Sequence, residues 1–90
     1  MTGETWTTEK LVAVLRELAQ QDDLPAHLIS GEISATDTVD TLGIDSLGGA
    51  FLIEKLEEIS GVLMPDDFLE LKDDVATIAG RLNDIIAKAG

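Results

Sequence analysis

The chain has no cysteine and no tyrosine, and only one tryptophan, two phenylalanines, two prolines and one histidine in 90 residues. Without cysteine there is no disulfide framework, no thiolate nucleophile and no cysteine-based zinc site. His27, the lone histidine, has no partner histidine or cysteine and reads as a surface or loop residue rather than a base or ligand. Three aromatic residues, Trp6, Phe51 and Phe68, cannot fill a core by themselves, so the core falls to Leu, Ile, Val and Ala. Basic residues are scarce too: six Lys and Arg against eighteen Asp and Glu give a net charge of −12. Nothing in such a chain could neutralise phosphates, which argues against a nucleic-acid partner. No stretch has the length and apolar character of a membrane-spanning helix. The start, MTGETWTTEK, lacks the apolar segment of a signal peptide. These absences predict a cytoplasmic, monomeric protein with no membrane partner.

What is present is helical. At 44% apolar residues the chain is too hydrophobic for disorder, and its length allows one small domain, residues 1–90. Leu11, Val14, Leu15 and Leu18 form a stripe at helical spacing. Thr7 is the expected N-cap of that helix, with Trp6 and Leu11 placed as a hydrophobic staple. The helix should end near residues 20–22, before Pro25. Residues 22–45 lack periodicity and form a loop long enough to be functional or to hide a short helical turn. A second helix is expected from Ser46 to Ser60, stopped by Gly61. A short third helix is expected from Pro65, with Asp66 and Asp67 facing its positive dipole end. A last helix should begin near Asp73 and present Val75, Ile78, Ala79, Leu82 and Ile85 on one face. The predicted fold is an all-α four-helix bundle, three longer helices and one short one, with a long first loop.

Residues 42–58, LGIDSLGGAFLIEKLEE, concentrate the functional signals. On a helical wheel Leu52, Ile53, Leu56 and Ile59 share one face and should be core. Leu47, Phe51, Glu54 and Glu58 fall roughly opposite. An apolar pair bordered by acids is either scattered surface or a docking patch. Ser46, before the apolar run, is locally an ordinary N-cap candidate, as is Asp45. The alternative is that its hydroxyl carries a group, since a helix N-terminus favours an anion. Gly48 and Gly49 would leave room beside it. Catalysis by Ser46 lacks support: there is no evident base, and IDSLG is not the G-x-S-x-G elbow. Asp37, Asp40 and Asp45 do not follow the spacing of a calcium loop, so no metal site is expected. The surrounding acids, six in residues 22–46 with no Lys or Arg, suit basic partners.

The segment LGIDSLGGAFLIEKLEEISGVLMPDD resembles the acyl carrier protein family, including its peptidyl carrier relatives. Leu42-Gly43-Ile44-Asp45-Ser46-Leu47 is similar to the family's L-G-x-D-S-L signature, and the likeness in plan covers about residues 7–87. The resemblance implies a carrier domain, not an enzyme. It implies 4′-phosphopantetheine attached to Ser46 by a phosphopantetheinyl transferase, with Asp45 and Leu47 helping that recognition. It further implies acyl or aminoacyl groups held as thioesters, and loading, modifying and condensing enzymes that dock through basic surfaces. Phe51 stands where fatty-acid carriers often have an acid, and Gly48 and Gly49 replace larger or polar residues. Those departures point to a discrete carrier in polyketide or other specialised, antibiotic-type biosynthesis. Ile44-Asp45 ranks an acyl carrier above a peptidyl carrier of a nonribosomal pathway. Without the resemblance, the alternative is a non-enzymatic acidic adaptor using Leu47, Phe51, Glu54 and Glu58.

Overall fold

The computed structural model describes residues 5–65 and 67–89. Among the described residues four α-helices form: α1 (Thr8–Gln20), α2 (Val39–Leu42), α3 (Ser46–Ser60) and α4 (Val75–Ala89). A single 3₁₀ turn (Ala26–Leu28) precedes α2. Among the described residues there is no strand, only one antiparallel bridge between Thr38 and Asp74. The architecture is a small helical bundle, and no described helix is long and apolar enough to cross a membrane.

Helix α1 begins as its sequence dictates. The Thr7 hydroxyl accepts from the Lys10 amide, and Trp6 and Leu11 are both buried. Trp6 is also tied to α4: its amide donates to Asn83 Oδ1 (2.7 Å), and Asn83 Nδ2 donates to its carbonyl (2.9 Å). The helix ends in a Schellman motif. The Asp23 amide donates to Leu18 O and the Asp22 amide to Ala19 O, with Asp22 at φ 67. Glycine is the usual residue there, and a short carboxylate side chain tolerates the left-handed conformation better than most.

The stripe of α1 (Leu11, Val14, Leu15, Leu18) meets Leu52 and Leu56 of α3 and Val75, Ile78, Ala79 and Leu82 of α4 in one buried cluster. The first loop is fastened to that cluster by Leu24, Leu28, Val39, Leu42 and Ile44, all buried. Arg16 holds its middle, donating to the carbonyls of Leu28, Ile29 and Gly31. That one guanidinium satisfies acceptors that the 3₁₀ turn leaves open.

Two expectations are corrected. Pro65 does not open a third helix. Residues 67–74 form turns, with the Phe68 amide bonded to Pro65 O and the Asp73 amide to Glu70 O. The expected dipole role of Asp66 lies outside the described residues. The short helix of the bundle is α2, inside the first loop. The physical reason is that the carbonyls of Phe68, Leu71 and Asp73 are taken elsewhere. Arg81 donates to Phe68 O, the Asp40 amide to Leu71 O and the Val39 amide to Asp73 O. In return the Val75 and Ala76 amides of α4 donate to Asp37 and Ala35. The first-turn N–H groups of α2 and α4, which no helix can satisfy internally, are thus satisfied reciprocally. The second correction concerns Ile59, which is 46% exposed rather than core. Only Gly48, Leu52 and Leu56 of α3 are fully buried, so its core-facing stripe is narrower than the spacing of apolar residues suggests.

Candidate functional site at the start of α3

Each residue of LGIDSL has a separate physical task. Leu42 closes α2 and is buried. Gly43 follows at φ 78, a left-handed turn that ends α2 and that a side chain would strain. Ile44 is buried and anchors the three-residue link, Gly43 to Asp45, between α2 and α3. Asp45 is the N-cap of α3: its Oδ1 accepts from the Gly48 amide at 2.8 Å. Ser46 is therefore the first helical residue and not the cap, which corrects the local reading of the sequence. Its side chain is exposed and makes no hydrogen bond within the described residues. The amides of Ser46 and Leu47 likewise make none, leaving two N–H groups of the helix end open to an anion.

Two grooves flank Ser46. On one side lies an open cleft of about 400 Å³ lined by Val39, Ile44, Ala50, Ile53, Leu69 and Leu71, with Asp45, Ser46, Gly49 and Glu70 at its polar parts. Its size falls in the range of small-molecule sites, about 300–1,000 Å³. Gly49 contributes as expected: a β-carbon there would meet only Leu69, at 3.7 Å, and would narrow the cleft. Gly48 does not leave room beside Ser46. A β-carbon there would lie 2.9 Å from a Leu24 methyl, so Gly48 allows α3 to pack closely on the first loop.

On the other side, Leu47 is 65% exposed and Phe51 is half-buried. They line a groove with Pro25, Leu24 and Gly43, rimmed by Asp22, Asp23 and Asp45. Through Asp23 and Phe51 this groove continues along α3 past Leu18, Glu54, Lys55 and Glu58. The acids on it are not equivalent. Lys55 bridges Glu17 at 3.1 Å and Glu58 at 3.7 Å, and its ammonium is held above its ordinary pKa chiefly by the hydrogen bond to Glu17. Glu58 is thus partly neutralised, whereas Glu54, Asp22 and Asp23 have no cationic partner among the described residues. All four predicted docking residues, Leu47, Phe51, Glu54 and Glu58, share this face. Asp22 and Asp23, two of the acids that the sequence marks as suited to basic partners, are brought to this groove by the turn that ends α1 before Pro25. His27 is exposed, as expected for a loop residue.

The opposite wall of the cleft was not foreseen at all. Leu69, Glu70 and Leu71 belong to the turn segment that the sequence pattern assigned to a helix. This segment is fastened by Asp73, the one buried charged residue among those described, at 8% exposure. Arg81 Nη1 donates to Asp73 Oδ2 at 2.6 Å, and Arg81 Nη2 to Oδ1 at 3.3 Å. The Glu70 amide adds a bond to Oδ2 at 3.0 Å. Together these hold the Asp73 carboxyl below its ordinary pKa, with the bond from Arg81 the largest cause, against the burial that raises it.

Comparison with known protein families, with curated proteins and with solved structures finds no match to this chain.

Proposed function

We propose that this protein is a carrier: a non-enzymatic domain whose Ser46 hydroxyl is the attachment point for a covalently bound arm. More particularly, we read it as a discrete acyl carrier protein of a polyketide or related specialised pathway, bearing 4′-phosphopantetheine on Ser46. When attached, the arm would supply a terminal thiol on which acyl or aminoacyl groups are held as thioesters, chemistry that a chain without cysteine cannot provide itself.

One observation carries the reading. Ser46 stands exposed at the first position of α3 with no hydrogen bond to make, because Asp45 does the capping. A serine kept at such a place has no structural duty among the described residues. The residues around it fit a phosphodiester: two open helix-end amides lie beside the hydroxyl, and no side chain covers it. Asp45 keeps α3 wound up to its first residue and so fixes where the hydroxyl points. The groove bearing Leu47 and Phe51 offers apolar contact, and Asp22, Asp23 and Glu54 offer charge for the basic surface of a transferase or pathway enzyme.

The test is intact-protein mass spectrometry after incubation with coenzyme A, Mg²⁺ and a broad-specificity phosphopantetheinyl transferase. The wild type gains the mass of one phosphopantetheine and Ser46→Ala gains none. An unmodified wild type, or a modified Ala variant, rejects the proposal. Partner binding that survives Ser46→Ala, with no modified form in cells, would instead support an acidic adaptor.

A further inference from the structure

We propose that the Arg81–Asp73 pair is the positioning device that sets the width of the cleft beside Ser46, and thereby how far an aliphatic group carried on that serine is withdrawn from water. The second half of this inference rests on the carrier reading; the first half does not.

The cleft has two kinds of wall. Ile44, Ala50 and Ile53 belong to α3 and the link before it, which are held by helix geometry and by burial in the core. Leu69, Glu70 and Leu71 belong to a segment with no helical ladder of its own. That segment keeps its place through the burial of Phe68, the partial packing of Leu69 and hydrogen bonds to Arg81, Asp73 and α2. Arg81 grips it at two points, the Phe68 carbonyl on one side of the wall and the Asp73 carboxylate on the other. Asp73 in turn holds the Glu70 amide in the middle of the wall. On the far side the Val39 and Asp40 amides of α2 bond Asp73 O and Leu71 O, both at 2.9 Å.

Arg81 therefore does a job that packing leaves undone. Phe68 is buried and fixes one point of the segment, but Leu71 is 62% exposed and Glu70 is exposed, so burial does not fix the lip of the cleft. A planar guanidinium meeting both oxygens of one carboxylate, with a carbonyl as a third contact, restricts direction as well as distance. Removing it frees the wall while leaving the α3 side intact. Polar and apolar groups share the exposed lining of the cleft about equally, and its aliphatic part, Val39, Ile44, Ala50, Ile53, Leu69 and Leu71, suits a short, uncharged aliphatic chain. The Glu70 carboxylate at the lip disfavours an anionic one.

Two measurements separate this inference from the carrier reading. The first needs no arm: amide hydrogen exchange of Arg81→Ala, with Arg81→Lys and Asp73→Asn as milder variants. Exchange at Val39 and Asp40, whose acceptors lie on the wall segment, should accelerate about tenfold or more. Arg16→Ala, which frees the first loop instead, is the control and should leave those two amides at the wild-type rate once matched for melting temperature. The second measurement uses protein loaded from octanoyl-coenzyme A by the transferase and follows cleavage of the thioester by hydroxylamine. Arg81→Ala should be cleaved several-fold faster than the wild type, Arg81→Lys in between, and Arg16→Ala at the wild-type rate. Unchanged exchange at Val39 and Asp40 in Arg81→Ala overturns the proposal. Faster exchange with equal cleavage rates would show that Arg81 holds the wall but that the chain does not enter the cleft, which overturns the second half alone. Failure of the wild type to load at Ser46 overturns the carrier reading and that second half with it, and leaves the exchange result to decide the first.

Discussion

Asp45 and Ser46 are adjacent small polar residues at one helix start, and the geometry gives them opposite tasks. Asp45 accepts from the Gly48 amide and ends the non-helical link, while Ser46 begins the helix with its hydroxyl unengaged. Their substitution by alanine should therefore differ. Asp45→Ala should cost about 1 kcal/mol of unfolding free energy, the usual loss on removing an N-cap. Ser46→Ala, at an exposed position without a bond, should change it by less than about 0.5 kcal/mol. Urea unfolding followed by circular dichroism checks both, and a Ser46→Ala loss as large as that of Asp45→Ala would return the capping role to the serine. The same pair shows how far a local reading goes. Either residue was an acceptable cap by type, and only the backbone at 45 and 46 distinguishes them, because capping requires an extended residue just before the first helical one.

At the scale of elements, the unusual feature is the mutual capping of α2 and α4. Each helix start lies against the loop that precedes the other, and the bridge between Thr38 and Asp74 marks where the two segments run antiparallel. Asp73 sits at this junction, so its ionisation is coupled to folding. A carboxyl whose folded pKa is depressed stabilises the fold above its unfolded pKa, about 3.9, and that contribution is lost as pH falls through the folded value. The difference in unfolding free energy between wild type and Asp73→Asn should therefore be constant above about pH 5 and shrink progressively below about pH 4. Chemical denaturation at a series of pH values measures it. A difference that stays level down to pH 2 would mean that the Asp73 carboxyl is not held below its ordinary pKa in the folded protein. Comparing the two proteins removes the effect of the other carboxylates, apart from changes coupled to Asp73, as for neighbouring Asp74, whose pKa is lowered chiefly by its bond to Thr77.

For the whole molecule, the net charge of −12 acts on a compact body 35 × 23 × 23 Å in extent. Few cations offset it internally: Arg16 is committed to carbonyls, Lys55 to Glu17 and Glu58, and Arg81 to Asp73. Surface acids therefore repel one another across the bundle, and the repulsion weakens as salt shortens the screening length from about 30 Å at 0.01 M to about 8 Å at 0.15 M. Thermal unfolding should shift upward over that interval, and further with millimolar Mg²⁺. An unchanged melting temperature would mean that the acids are spaced too widely to matter. Asp22, Asp23 and Glu54 along the groove of Leu47 and Phe51 belong to this unneutralised charge, and in the carrier we propose they would draw a basic partner.

Apolar spacing, with caps and stops at α1 and α3, was enough to locate α1, α3 and α4, since that pattern repeats within a few residues along the chain. They also put Leu47, Phe51, Glu54 and Glu58 on one face and left Ser46 at a helix start. The turn at 67–74, the helical character of 39–42 and the cleft between them were decided by tertiary structure. Their backbone groups are satisfied by partners some thirty or more residues away, Asp40 by Leu71 and Val75 by Asp37, and no local pattern records such pairings. Pro65 and the acids after it looked like a helix start because that choice is the best one available to an isolated segment. In the folded chain the carbonyls of Phe68, Leu71 and Asp73 find better donors in Arg81 and α2, and the segment becomes a wall beside Ser46 instead.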